Sequence, residues 1–127
     1  MAKVLVVEDE AALQEAIKVK LASEGFDYIP AKSGEEALTL LETVKPDIIW
    51  LDLLMPGMGG FAFLEKLREM PELKDLPVII VSVSASPEKI KRAFELNVVD
   101  YIVKSQYKLG DIISRLKSFL SKDKPEE

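Results

Sequence analysis

The sequence predicts an α/β fold: a doubly wound (βα)5 three-layer sandwich whose five-stranded parallel sheet runs in the order 2-1-3-4-5. Three observations predict it. Short apolar runs alternate with stretches of helical periodicity five times along the 127 residues. The units repeat at about 20 to 30 residues with no linker between them, as right-handed β-α-β crossovers require. A closed eight-fold barrel needs about twice this length, which leaves the open doubly wound arrangement.

The elements follow in order. Val4-Leu5-Val6-Val7 is continuously apolar, as in a strand buried on both faces. Ala12, Leu13, Ala16, Ile17 and Leu21 recur at helical spacing, and Gly25 suits the stop. Tyr28-Ile29 begins a second strand. Ser33-Gly34-Glu35-Glu36 reads as a capping box for a helix through Ala37, Leu38, Leu41 and Val44, with Pro46 as its stop. Asp47 to Asp52 is a third strand, and Met55 to Gly60 is a loop of turn formers. Phe61 to Arg68 is helical. Pro77 to Val81 is a fourth strand. Ser86-Pro87-Glu88 places a serine cap and a proline at a helix start, followed by Ile90, Ala93 and Phe94. Tyr101-Ile102-Val103 is the fifth strand. Leu109, Ile112, Ile113, Leu116, Phe119 and Leu120 mark the last helix. The fold is expected over residues 3–121, with 122–127 a disordered tail and no output domain after it.

Composition excludes several chemistries. There is no Cys and no His, so disulfides, thiolate catalysis, the commonest zinc ligands and a phosphohistidine relay on this chain are ruled out. With 17 basic and 22 acidic residues the net charge is −5, which argues against a nucleic-acid partner. No apolar run approaches the roughly 20 residues of a membrane span, and the apolar start is cut short by Glu8. The cytoplasm is the expected compartment.

In open α/β sheets, ligands bind beyond the carboxyl ends of the strands, near the point where strand order reverses. Strand 1 ends in Glu8-Asp9, strand 3 in Asp52, strand 4 in Ser82 and strand 5 in Lys104. In the expected order strands 1 and 3 are neighbours, so three carboxylates converge. At about 5 Å and an effective dielectric near 20, each pair repels by roughly 3 kcal/mol. A hard divalent cation relieves this, and an oxygen-only donor set selects Mg²⁺, Mn²⁺ or Ca²⁺, with Mg²⁺ best suited to few protein ligands. Lys104 and the Ser82 hydroxyl are placed to meet the oxygens of a phosphoryl group transferred to a carboxylate.

These residues resemble the receiver domain of bacterial two-component response regulators, the CheY-like family of flavodoxin-like fold, here as a stand-alone single-domain type. The resemblance rests on Val7-Glu8-Asp9-Glu10, on Asp52-Leu53-Leu54-Met55-Pro56-Gly57-Met58-Gly59-Gly60, on Ser82 closing strand 4, and on Tyr101-Ile102-Val103-Lys104. It spans nearly the whole chain, and the pieces are specific in this order and spacing. It implies that Asp52 accepts phosphoryl from a sensor histidine kinase or phosphotransfer protein. It implies Mg²⁺ on Asp9, Asp52 and the Leu54 backbone carbonyl, with Glu8 binding through water. It implies that Lys104 and Ser82 contact the phosphoryl group and that Tyr101 turns inward when Ser82 moves. Output is expected at helix 4, strand 5 and helix 5, about Glu88 to Leu120, toward a downstream protein or a second copy. The chain is expected to be a signalling protein, not an enzyme in the turnover sense.

Three positions depart from the family pattern. Glu8 stands where Asp is commoner. Val83 follows Ser82, where Ala or Gly is favoured, and its extra methyls are expected to crowd the phosphoryl pocket. Ser105 follows Lys104, where Pro is usual and often cis. A cis bond before Ser costs about 3 kcal/mol, so a trans, differently shaped loop is expected. Val83 and Ser105 favour the alternative reading, a pseudo-receiver interaction module whose output ignores phosphate. Leu54, apolar two residues after Asp52, cannot orient an attacking water, so slow self-dephosphorylation is expected. It also excludes a haloacid-dehalogenase-type phosphatase, which needs an acid there. The acidic Glu8-Asp9-Glu10 turn excludes a flavodoxin-like FMN loop, since it repels phosphate.

Overall fold

All five apolar runs predicted from sequence form strands, and the three central ones are buried almost throughout because helices cover both faces of the sheet. The computed structural model describes residues 2–122. Its strands are β1 (Lys3–Val7), β2 (Asp27–Ala31), β3 (Ile48–Leu51), β4 (Val78–Ser82) and β5 (Asp100–Val103). Its helices are α1 (Ala11–Ser23), α2 (Gly34–Leu40), α3 (Gly59–Glu69), α4 (Pro87–Glu95) and α5 (Leu109–Lys122). The sheet is parallel and ordered β2-β1-β3-β4-β5, as expected.

Strand periodicity divides the core into two layers. Leu5, Val7, Ile49, Leu51, Val78 and Ile80 face one side, where Ala37 of α2, Phe63, Leu64 and Leu67 of α3 and Ala93 of α4 pack on them. Val4, Val6, Ile48, Trp50, Ile79, Val81 and Ile102 face the other, against Ile17 and Leu21 of α1 and Ile112, Ile113 and Leu116 of α5. The register aligns Leu5 with Ile49 and Ile49 with Val78, so each layer runs across the sheet without a break.

The helix starts have the predicted cap chemistry. Ser33 Oγ accepts the Glu36 N–H at 3.1 Å, and Ser86 Oγ accepts the Lys89 N–H at 3.2 Å ahead of Pro87 at the first turn. Glu36 reaches back to the Lys32 N–H, one residue before the position a capping box usually serves.

Several boundaries differ from the sequence expectation. Helix α2 ends at Leu40 instead of continuing through Val44 to Pro46. The Glu42 N–H bonds Thr39 O at 3.2 Å and the Thr43 N–H bonds Leu40 O at 3.1 Å, so the chain tightens into turns through the β-branched Thr43 and Val44. Strand β3 begins at Ile48. Asp47 lies before it, with its carboxylate accepting the Lys3 N–H at 2.7 Å. Asp52 and Lys104 sit one residue beyond their strands. Helix α3 starts two residues before Phe61, at Gly59. Ala12, Ala16 and Phe94 are exposed, not core. Lys122 belongs to α5, and the rest of the expected tail, 123–127, lies outside the described residues. All described peptide bonds are trans, and Lys104–Gln106 form a short 3-10 turn. No helix among the described residues is long and apolar enough to cross a membrane.

Candidate functional site

The carboxyl ends of β1 and β3 bring Glu8, Asp9 and Asp52 together. One oxygen from each lies within 4.8 Å of the others. Glu8 is 1% exposed and Asp52 4%, while Asp9 is open to solvent. This placement follows from the register: Val7 aligns with Leu51, so the residues just past each strand meet.

A glycine lets the chain close around Asp52. A Cβ on Gly60 would lie 2.6 Å from Leu53 Cα and 2.7 Å from the Asp52 carbonyl oxygen. Only glycine permits helix α3 to start against the tip of β3, where the Gly60 N–H bonds Leu53 O at 3.1 Å.

The carboxylates are held by specific donors. Asp52 Oδ1 accepts the Leu54 N–H at 3.2 Å. Glu8 Oε2 accepts the Glu10 N–H at 3.0 Å. Lys104, arriving from the end of β5, donates to Glu8 Oε1 at 2.9 Å and stands 3.6 Å from Asp52 Oδ2. Burial pushes the Asp52 carboxyl up to about 6, aided by the Glu8 charge and, more weakly, Asp9; Lys104 and the Leu54 N–H oppose the rise. Burial works against the Lys104 ammonium, but the Glu8 hydrogen bond and the Asp52 and Glu8 charges outweigh it and hold Lys104 above its ordinary value.

The donor set suits a hard divalent cation. It consists of carboxylate oxygens at a partly open mouth, with no nitrogen or sulfur ligand available. Of the three clustered carboxylates, Glu8 and Asp52 share the Lys104 ammonium, so negative charge remains in excess.

Ser82, at the end of β4, is fully buried, and its Oγ accepts the Ser84 N–H at 3.3 Å. Tyr101 of β5 donates its hydroxyl to the Ser84 carbonyl, so the aromatic ring is turned toward the β4–α4 loop. Burial raises the Tyr101 phenol, and the Asp52 charge adds to it. Leu54 and Val83 are both exposed, at 50% and 60%, and so present apolar surface on the loops after β3 and β4.

Sequence reasoning missed three residues here. Gln14 of α1 is buried, and its Nε2 lies 3.0 Å from the carbonyls of Val6, Glu8 and Ala31. Its Oε1 accepts from the Tyr28 hydroxyl. Gln14 thus ties the tip of β1 to β2 beneath Glu8. A lone polar residue on the otherwise apolar stripe of α1 was the available signal. Ser84 was signalled only by its spacing from Ser82. Glu35, whose carboxylate accepts the Met58 N–H at 3.1 Å, carried no signal beyond its place in the helix start.

Comparison with known proteins places these features in a family. The model described as the response regulator receiver domain matches residues 4–117. The phosphate regulon transcriptional regulatory protein PhoB of Rhizobium meliloti is 33% identical over 124 residues, covering 98% of this chain and 54% of that protein. The chain therefore spans about half the length of the curated relatives it matches. Among solved structures, the signal receiver domain of a signal transduction histidine kinase from Syntrophus aciditrophicus is similar, with TM-score 0.87 and 32% identity over 100% of this chain and 96% of that one. The response regulator protein TrrA from Thermotoga maritima, in complex with Mg²⁺-BeF, is similar with TM-score 0.80 and 28% identity, over 93% of this chain and 98% of that one.

Proposed function

The chain belongs to the response regulator receiver domain family, and from that membership we propose that it is a phosphorylation switch, with Asp52 the phosphoacceptor within a receiver domain spanning residues 3–121. The observation that carries this reading is the buried Asp52 carboxylate, clustered with Glu8 and Asp9 and facing the Lys104 ammonium at 3.6 Å. The compartment is the cytoplasm.

Glu8, Asp9, Asp52 and the Leu54 backbone carbonyl would hold Mg²⁺ or Mn²⁺, whose charge offsets that of the phosphoryl oxygens. The Mg²⁺-BeF complex of TrrA supports this assignment. The donor is a phosphorylated histidine on a sensor kinase or phosphotransfer protein. An Asp52 carboxylate oxygen forms the new P–O bond as the P–N bond breaks, and the imidazole nitrogen keeps the bonding pair. Asp52 reacts as its anion, the predominant form at neutral pH for a group titrating near 6. The Lys104 ammonium and the Ser82 hydroxyl take up hydrogen bonds to the phosphoryl oxygens.

Signal leaves through the β4–α4 loop. Ser82, the Ser84 backbone and Tyr101 form a hydrogen-bonded chain from the site to β5. A change at Ser82 shifts the population of that chain and of the α4-β5-α5 face, where a downstream protein or a second copy binds. Exposed, apolar Leu54 cannot hold an attacking water, so the acyl phosphate is long-lived.

Incubation with acetyl phosphate and Mg²⁺ tests the reading by intact mass. One phosphoryl adduct is expected, absent in Asp52→Asn and persisting beyond minutes after donor removal. An adduct that forms equally in Asp52→Asn removes the assignment, and a lifetime of seconds removes the role given to Leu54.

A further inference from the structure

The loop that joins β3 to α3 is strapped to the start of helix α2 by one carboxylate. Glu35 Oε2 accepts the Met58 N–H at 3.1 Å across 23 residues of sequence. Gly57 lies in the left-handed region at φ 78°, and a Cβ there would stand 2.7 Å from Glu35 Oε2. Glycine at this position therefore makes room for the Glu35 carboxylate. The Met58 side chain in turn lies across Gly34, where a Cβ would be 2.9 Å from Met58 Sδ. The two first-turn acids of α2 have separate duties. Glu36 serves its own helix by accepting the Lys32 N–H, while Glu35 reaches out to the loop.

At the other end of this loop is Leu54, whose N–H holds Asp52 and whose carbonyl the reading above assigns to the cation. Three residues separate Leu54 from the strapped Met58, and both ends of the segment are fixed: Gly60 is bonded to Leu53, and Met58 to Glu35. We infer that Glu35 is a positioning residue for the divalent cation: it acts through the Met58 amide to set the loop that carries the Leu54 carbonyl. This rests on the metal-binding reading given above.

Magnesium titration of the purified chain, by calorimetry and Trp50 emission, tests it together with amide exchange at Met58 in EDTA. Glu35→Ala is expected to weaken Mg²⁺ binding about three- to tenfold, the effect of losing one hydrogen bond that orders the site. It should also speed Met58 exchange in the metal-free protein. Glu35→Gln keeps an acceptor oxygen and should stay within about twofold of the parent, which a general charge effect would not allow. Glu36→Ala removes a carboxylate from the same turn and should leave Mg²⁺ affinity unchanged. The inference is overturned if Glu35→Ala binds as the parent does, or if Glu35→Gln is as weak as Glu35→Ala. A parent chain with no Mg²⁺ response overturns the metal-site reading itself, and the role of Glu35 falls with it.

Discussion

Lys104 lies closer to Glu8 than to Asp52: its Nζ is 2.9 Å from Glu8 Oε1 and 3.6 Å from Asp52 Oδ2. The longer Glu8 side chain, where the family more often has Asp, captures the ammonium that the phosphoacceptor also uses. In the metal-free protein Lys104 is thus a counter-ion for two buried acids at once. Removing it strands both.

Lys104→Met should accordingly lower stability in EDTA by about 1 to 3 kcal/mol, since breaking a largely buried pair leaves uncompensated charge. Saturating Mg²⁺ should restore much of the loss by neutralising the same carboxylates. Thermal melts with and without Mg²⁺ check this. Equal melting temperatures for parent and variant in EDTA would show that the ion pair contributes nothing.

Asp52 supplies a pH dependence. Its carboxyl titrates near 6 in the fold against about 3.8 when exposed. The folded state therefore binds the proton more tightly than the unfolded state does. Its contribution to stability is greatest below the unfolded value and declines as pH rises through the window from about 4 to 6. Asp52→Asn should stabilise the metal-free chain by about 1 to 3 kcal/mol at neutral pH, with the gain vanishing near pH 4. Urea denaturation across that range is the measurement. A gain that does not change with pH contradicts the account.

Gln14 holds three backbone carbonyls beneath the acidic cluster. Gln14→Leu matches its bulk but removes the donor they share, leaving Ala31 O only its bond from the Glu8 N–H, and should cost about 1 to 3 kcal/mol in urea denaturation. It should also loosen Glu8, and so weaken Mg²⁺ binding several-fold. A variant as stable as the parent would mean that those carbonyls find water at no cost.

The Tyr101 hydroxyl bonds the Ser84 carbonyl. Tyr101→Phe should cost about 1 kcal/mol and leave phosphorylation of Asp52 intact. It should reduce the chemical-shift changes that beryllofluoride induces in β5 and α5. If those changes persist at full size, Tyr101 is not the link between the site and that face.

Much of this was legible in the chain itself. Strand and helix order, the serine caps at Ser33 and Ser86, and acids at the tips of β1 and β3 are local signals. They depend on windows of a few residues, where periodicity and cap chemistry act directly on the backbone. Parallel order and register then follow from burying both sheet faces, and bring Glu8, Asp9 and Asp52 together. The early end of α2 at Leu40 was not legible, because the apolar stripe continues through residues that the structure uses in turns.

What tertiary structure alone decided is which distant groups bond. Lys104 and Glu8 are 96 residues apart, and choosing Glu8 over Asp52 depends on ångström differences in reach across the sheet. Gln14 under β1 and Glu35 on the β3–α3 loop are likewise matters of side-chain placement between elements. A sequence determines its elements and the face each one buries through short-range chemistry. Which polar group meets which across the switch point is set only when the layers close, because hydrogen bonds weaken steeply within an ångström of misplacement.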